Sequence, residues 1–264
     1  MDSGVIFSVF TKPWPRLPCD ELGSFIAGLG FDGIEFPLRP GYQVEPQDAE
    51  KNLPQFARRL REHGVTITSV ASTTDERVFA ACQAAGVPII RIMADFDLNR
   101  GYLVCEGEKR GEIARLLPFC DKYGVKLAVQ HHYGPMVNNS MELRHLVAEF
   151  DPSLVGAIWD AAHSALAGEE IEQGLDIVWS HLAMVNLKNA FYLRTNGPEA
   201  EQAEWARYFT LGNQGLSSWP RVAEYLKKRQ YPGVICLSAE YTQEDQVDSL
   251  IAKDIAYARS LFAD

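Results

Sequence analysis

Side chains that carry oxygen donors lie at the ends of the last four β-type apolar segments of this sequence. They are Gln130, Asp160, Asn186 and Glu240. In an α/β barrel the carboxyl ends of the parallel strands meet at one face, and catalytic groups of barrel enzymes lie there. Amide and carboxylate oxygens suit hard divalent cations such as Mg²⁺ and Mn²⁺. Side chains that converge at this face are therefore candidates for a divalent metal site.

Two histidines and a lysine lie close to the same segment ends. His132 follows the fifth segment, His163 follows the sixth, and Lys188 ends the seventh. Imidazoles transfer protons near neutral pH, so the two histidines are candidate proton relays. A lysine directed into a barrel mouth usually meets an anionic or oxygen-rich ligand. Of these residues, Lys188 is the hardest to explain by structure alone.

Each candidate also has a purely structural explanation. Asp160 could be the N-cap of a following helix, and Glu240 could be a solvated strand end. Gln130 and Asn186 could satisfy loop backbone groups. His131 has the opposite parity from Gln130, so we expect it to pack against the outer layer. The functional interpretation depends on convergence, since no single residue is diagnostic.

The elements that must position these residues follow one pattern along the whole chain. Short apolar, β-branched runs alternate with amphipathic stretches of helical periodicity, as in βα units around a parallel sheet. Eight such units predict an α/β fold of the (β/α)₈ barrel type, with one domain over residues 1–264. The predicted strands are 5–10, 33–38, 65–71, 88–93, 126–131, 155–160, 183–188 and 233–240.

Composition excludes several functional classes. The net charge is −10 at pH 7, and no cluster of five basic residues provides the surface that nucleic acids require. No apolar run approaches the roughly 18 residues of a membrane span, and the N-terminus lacks a signal-peptide pattern. The five cysteines are widely spaced, as is usual in a reducing compartment. We expect a cytoplasmic protein that binds neither nucleic acid nor a membrane.

Six motifs in order extend along nearly the whole chain. They are FDGIEFPLRPG, VQHHYG, IWDAAH, VNLKNA, LGNQGLSSWP and YPGVICLSAEY. With these motifs the sequence resembles the xylose isomerase-like TIM barrels of the sugar phosphate isomerase/epimerase superfamily. The fifth-strand motif has Gln130 where the family has a glutamate, and the seventh-strand motif has Asn186 where the family has a histidine.

The resemblance implies a divalent metal, Mn or Mg, held by one side chain from each of the last four strands. The corresponding positions here are Gln130, Asp160, Asn186 and Glu240, and Ser238 is an alternative to Glu240. Replacement of a carboxylate and an imidazole by amides removes charge and weakens cation binding. The resemblance therefore implies a degenerate metal site.

The resemblance also implies an isomerase or epimerase acting on a small sugar or keto-sugar. Glu240 would act as ligand and base, with His132 or His163 as relay and Lys188 as the group that stabilises an enediolate. Gln130 cannot take up a proton, so a one-base shuttle or a β-elimination of water fits better than a two-base epimerisation.

The connection 189–219 is unusually long, and we expect it to close the substrate site over the barrel mouth. Trp205 or Phe191 is the candidate apolar wall. Arg39, Arg194 and Lys12 are candidates for contact with a substrate carboxylate or phosphate, and the sequence does not rank them. Two other functions stay open, which are a lyase or dehydratase of the same superfamily and a non-catalytic barrel that binds a sugar or a partner. A homodimer is compatible with either.

Overall fold

Eight parallel strands close into a barrel in the computed structural model, which describes residues 4–263. These eight strands and two others outside the barrel are numbered together in chain order. They are β1 (Ile6–Phe10), β2 (Gly33–Pro37), β3 (Thr66–Ala71), β4 (Ile89–Met93), β5 (Lys126–Gln130), β6 (Val155–Asp160), β7 (Leu182–Leu187), β8 (Asn189–Arg194), β9 (Trp205–Thr210) and β10 (Val234–Leu237). All except β8 and β9 belong to the barrel, in the order β1-β10-β7-β6-β5-β4-β3-β2. The predicted (β/α)₈ fold is confirmed, with small shifts at the strand ends.

Helices pack around the outside of this barrel. They are α1 (Cys19–Leu29), α2 (Ala49–Glu62), α3 (Glu76–Ala85), α4 (Tyr102–Tyr123), α5 (Ser140–Val147), α6 (Ala161–Leu166), α7 (Ile171–Val178), α8 (Trp219–Lys228) and α9 (Val247–Phe262). At the ends of α1 and α4, Gly30 and Gly124 have φ values of 89° and 62°, a conformation that glycine adopts without a steric penalty. Within residues 4–263, none of the helices combines the length and apolarity needed to cross a bilayer.

Two apolar layers hold the barrel together. The larger lies between the strands and the helices, and includes the buried Phe36, Phe79 and Trp159. The smaller fills the barrel interior, so the barrel is a packed core and the space for a ligand lies at its mouth. The interior layer consists of Phe10, Ala71, Ile89, Ala128, Ile158, Met184, Val234 and Cys236.

The segment 189–219 begins with a β-hairpin, where the sequence predicts only a long loop. Strands β8 and β9 pair antiparallel from Asn189 opposite Thr210 to Arg194 opposite Trp205. Both strands are mostly polar or solvent-exposed, so the alternation that identifies a half-buried strand is weak here. The hairpin places Phe209 near the barrel mouth, where the centre of its ring lies 4.6 Å from the ammonium nitrogen of Lys188.

Candidate active site

A continuous chain of hydrogen bonds crosses one side of the barrel mouth. Arg91 Nε donates to Glu35 Oε1 over 2.6 Å, and Arg91 Nη1 donates to Gln130 Oε1 over 2.7 Å. Gln130 Nε2 then donates to Asp160 Oδ2 over 2.9 Å. All four side chains are buried. Arg91 therefore fixes the amide of Gln130 with its carbonyl toward the guanidinium and its NH₂ toward Asp160.

Asp160 is also the N-cap of helix α6. Its Oδ1 accepts from the backbone N–H groups of Ala162 and His163, at 3.0 and 3.1 Å. The structural explanation that the sequence left open for Asp160 is thus confirmed. Together with the bond from Gln130, three N–H donors surround this carboxylate, as a buried charge requires.

On the opposite side of the mouth, Glu240 lies between two lysines. Lys188 Nζ donates to Glu240 Oε2 over 2.7 Å, and Lys12 Nζ donates to Oε1 over 2.9 Å. Burial by itself would raise the pKa of the Glu240 carboxyl, but the two ammonium groups outweigh burial and hold the pKa well below its usual range. Such a carboxylate is a weak base. In this geometry Glu240 is the counter-ion of Lys188 and Lys12, and its role as the catalytic base stays a prediction.

The position of Glu240 depends on an unusual turn. Strand β10 ends at Leu237, and Ala239 has a φ of 49°. This left-handed conformation costs a non-glycine residue about 1–2 kcal/mol. The sequence assigns Glu240 to the mouth by strand parity, but the regular strand ends before Glu240. The turn at Ala239 therefore decides where the carboxylate lies.

His132 is a neutral imidazole with a defined tautomer. Its Nδ1 lies 3.0 Å from the backbone carbonyl of Tyr133, which can only accept, so Nδ1 carries the proton and Nε2 the lone pair. Burial lowers the pKa of His132, and the charge of Lys188 lowers it further. At neutral pH the free Nε2 can therefore act as a base.

His163 lies behind His132, with the ring centroids 4.1 Å apart. Both of its ring nitrogens are buried without a hydrogen-bond partner among residues 4–263, and Nε2 lies 3.9 Å from Asp160 Oδ2. Burial and the charge of Lys188 hold the pKa of His163 well below its ordinary value. This histidine is neutral and supports the ring of His132.

Several of these residues line two adjoining cavities at the mouth, of about 790 and 110 Å³, whereas Asp160 and His163 line neither. The larger, outer cavity is bounded by Tyr133, Phe209 and Tyr241. The smaller, inner cavity reaches down to Glu35, Arg91 and Asn186. The residues common to both are Lys12, His132, Lys188 and Glu240. Predicted catalytic groups from the fifth, seventh and eighth strands thus meet around one space.

Two predicted substrate-binding residues line neither cavity. Arg194 donates to Asn196 and to the backbone carbonyl of Gly197 within the hairpin, and Trp205 is 61% exposed on β9. The apolar wall of the outer cavity is formed instead by Tyr133 and Phe209. Sequence reasoning missed Phe209 because it lies in a segment expected to be a loop. Arg91 was missed too, although a single charge inside the apolar strand β4 is a usable signal.

The four residues that the resemblance implies as metal ligands do not fit a divalent cation. Gln130 turns its NH₂ toward Asp160 and its carbonyl toward a guanidinium, and ammonium groups already hold both oxygens of Glu240. Asn186 offers a buried carbonyl oxygen without a hydrogen-bond partner in the described part of the chain, but a single neutral oxygen does not hold a hard cation. Among residues 4–263, no cluster of three His, Cys, Asp or Glu side chains is arranged for a metal ion.

The fold and the polar mouth define the class of protein, a (β/α)₈ barrel with a site at the carboxyl ends of its strands. Residues 24–261 match the sequence model of the xylose isomerase-like TIM barrels, and the chain belongs to this family.

Curated relatives at moderate identity are inosose dehydratases. That of Lactiplantibacillus plantarum is 29% identical over 247 residues, which cover 83% of this chain and 80% of the relative. That of Bacillus licheniformis is 29% identical over 153 residues, which cover 56% of this chain and 47% of the relative. The chain thus spans about half the length of several curated relatives that it matches.

Solved structures with the same fold include enzymes of two reaction types. D-psicose 3-epimerase from Clostridium cellulolyticum, determined with D-tagatose, superposes with a TM-score of 0.73 at 12% identity. The superposition covers 98% of this chain and 100% of the epimerase. The probable 3-DHS dehydratase from Bacillus anthracis gives a TM-score of 0.72 over 93% of this chain and 97% of its own, at 13% identity. At such identities the likeness establishes the fold alone.

Proposed function

We propose that this chain is a carbohydrate-directed lyase that removes water from a small polyhydroxylated ketone. The observation that carries the proposal is the meeting of a neutral histidine base and a buried lysine in one cavity. His132 Nε2 has a free lone pair, and the side chain of Lys188 is only 4% exposed at the same cavity. A base and a fixed positive charge are the two groups that abstraction of a proton next to a carbonyl requires.

The reaction follows from the two groups. His132 takes the proton from the carbon next to the ketone, and Lys188 stabilises the negative charge that develops on the carbonyl oxygen. The enolate then re-forms the carbonyl as the bond from the β-carbon to its hydroxyl breaks. The His132 imidazolium gives its proton to the departing hydroxyl, so the products are an unsaturated ketone and water, and the histidine is neutral again.

Elimination fits this mouth better than epimerisation. Inversion at a carbon needs a second base on the opposite face of the substrate, and the fifth strand supplies an amide, Gln130, which cannot take up a proton. The names of the curated relatives, inosose dehydratases, agree with elimination. Isomerisation uses the same base and returns the proton to the neighbouring carbon, so it is the second candidate and differs only in its product.

The experiment follows protons and products by ¹H NMR in D₂O with EDTA present, on a panel of inososes and ketoses. We expect exchange of the proton next to the carbonyl and an enone product. His132→Asn should lower the rate by about 10²–10⁴-fold, the usual contribution of a general base. His145→Asn is the control, because His145 is an exposed histidine on α5, and it should leave the rates of proton exchange and product formation unchanged.

The possible outcomes separate the candidates. A rearranged ketose or aldose without an enone would establish the isomerase. Turnover only after addition of Mn²⁺ would contradict the proton chemistry assigned to the side chains alone. Binding of a sugar with no proton exchange would leave the non-catalytic barrel.

A further inference from the structure

Arg39 lies at the junction of the inner cavity and a third cleft. It follows strand β2, and its guanidinium carbon is 5.9 Å from the centre of the Phe10 ring. The third cleft, of about 530 Å³, is bordered by the ends of β3 and β4 and by helix α4. Arg39 and Arg91 line both this cleft and the inner cavity. A group held by Arg39 can therefore be continuous with a ligand in the barrel mouth.

Arg39 is the one cation of the inner cavity that forms no salt bridge among residues 4–263. Arg91 is paired with Glu35, and Lys12 and Lys188 share Glu240. The guanidinium of Arg39 forms no salt bridge within the described residues and is partly buried. Burial and the nearby charge of Arg91 lower the pKa of Arg39, the change expected where a cation lacks an anionic partner.

The charges around the inner cavity also favour the binding of an anion. Four cationic side chains face it against two carboxylates, and His132 is neutral. A positive surplus remains even when Asp160, which lies behind Gln130, is counted. The chain as a whole carries a charge of −10, so the mouth has the opposite sign from the rest of the molecule. A concave positive site of this kind attracts small anions.

We infer that Arg39 binds an anionic group of the substrate, a carboxylate or a phosphate, while the carbonyl of the same molecule faces Lys188 and His132. A guanidinium presents a planar pair of donors that matches either group in a bidentate manner. The same cavity contains Lys188 and His132, so one small molecule can reach Arg39 with its anion and the catalytic pair with its carbonyl. The assignment of the carbonyl end rests on the proposed function, whereas the anion site rests on Arg39 alone.

This inference ranks three residues that the sequence left equal. Lys12 is bound to Glu240, and Arg194 is bound within the hairpin. Of the three, Arg39 alone lines the inner cavity without forming a salt bridge to any residue that the structure describes.

The test uses three probes that share one hydroxyketone unit, namely hydroxypyruvate, dihydroxyacetone phosphate and neutral dihydroxyacetone. Their binding to the full chain is measured by isothermal titration calorimetry with EDTA at low salt. We expect at least one anionic probe to bind tenfold or more tightly than dihydroxyacetone, and the better anion identifies the substrate's group. Arg39→Met should remove most of that preference, and Arg39→Lys should restore part of it.

Arg77→Met is the matched control, because Arg77 is an exposed arginine on α3 that lines none of the three cavities. It should leave the affinities unchanged, and thermal unfolding shows whether each variant is folded. Equal binding of neutral and anionic probes, no binding of either anion, or unchanged binding by Arg39→Met would each overturn the inference. Anion binding that depends on Arg39 without any turnover would preserve this inference and contradict the proposed function.

Discussion

The two halves of the barrel mouth use the same kinds of side chain for different purposes. In the closed half, formed by β2, β4, β5 and β6, Glu35 and Arg91 are buried and bound within a continuous hydrogen-bond chain. In the open half, formed by the ends of β1, β7 and β10, Lys188 and Glu240 form an equally short pair, but Glu240 is 30% exposed and borders both cavities at the mouth.

Solvent access explains the difference between the halves. A buried carboxylate and guanidinium must satisfy each other, because water cannot replace either partner. In the open half a ligand can replace the partly exposed Glu240 as the partner of the lysines at much lower cost, since water reaches this carboxylate. The closed half thus maintains the geometry of the mouth, and the open half supplies groups that can respond to a substrate.

The largest expected effect concerns the closed half. Glu35→Leu leaves the Arg91 charge buried without its partner and should lower the free energy of unfolding by about 3–5 kcal/mol. Chemical denaturation measures this loss. The double variant Glu35→Leu/Arg91→Met removes both charges and should recover much of the stability. If Glu35→Leu costs less than about 1 kcal/mol, water reaches the closed half and the distinction between the halves fails.

Lys188 should affect catalysis more than stability. Lys188→Met removes the charge that stabilises the enolate and should lower kcat/KM by about 10²–10³-fold, the cost of removing one such group. Glu240 retains Lys12 in this variant, so the fold should persist. Lys12→Met is the matched control, and because Lys12 is half exposed its effect should be below about tenfold. Equal losses in the two variants would contradict the role assigned to Lys188.

Asp254 on helix α9 holds Tyr241 beside the open half and should make stability depend on pH. It accepts from Gly212 N–H and from the hydroxyl of Tyr241, which lines the outer cavity. Burial raises the pKa of Asp254 to about 6. The folded state therefore favours the protonated form, and its contribution is fully present below pH 4 and is lost as pH rises through 6.

Converted to free energy, this shift corresponds to about 3 kcal/mol of stability lost between pH 4 and pH 7. Asp254→Asn cannot titrate and should remove that part of the pH dependence. Urea denaturation of both proteins across this range measures the difference between them. A difference that is the same at every pH would show that Asp254 does not titrate between these limits.

The smallest expected effect lies on the hairpin, outside both halves. Trp205→Ala removes an exposed side chain that lines neither mouth cavity, so the free energy of unfolding should change by less than about 0.5 kcal/mol. The kcat/KM should stay near that of the parent. Phe209→Ala on the same strand is the contrast, because its ring contacts Lys188 and should weaken substrate binding. A clear loss of kcat/KM in Trp205→Ala would mean that the hairpin closes over the substrate.

The barrel could be predicted from the sequence because its signals are local. Short apolar runs such as Val155–Asp160 are read directly as strands covered on both faces, and their number and order define the fold. The carboxyl ends of these strands then place Gln130, Asp160, Asn186 and Lys188 in one region. Strand parity also gives the outward direction of His131, which is buried against Trp159.

The partners of these residues were decided by tertiary structure. Lys188 meets Glu240 across 52 residues, and Arg91 meets Gln130 across 39. Such pairings turned predicted metal ligands into hydrogen-bonded side chains and left Arg39 without a salt bridge among residues 4–263. The turn at Ala239, outside the regular strand, placed the Glu240 carboxylate. Residue type and strand parity specify only the region that a side chain reaches, whereas burial and neighbours distant in sequence determine its charge, its partners and its chemistry.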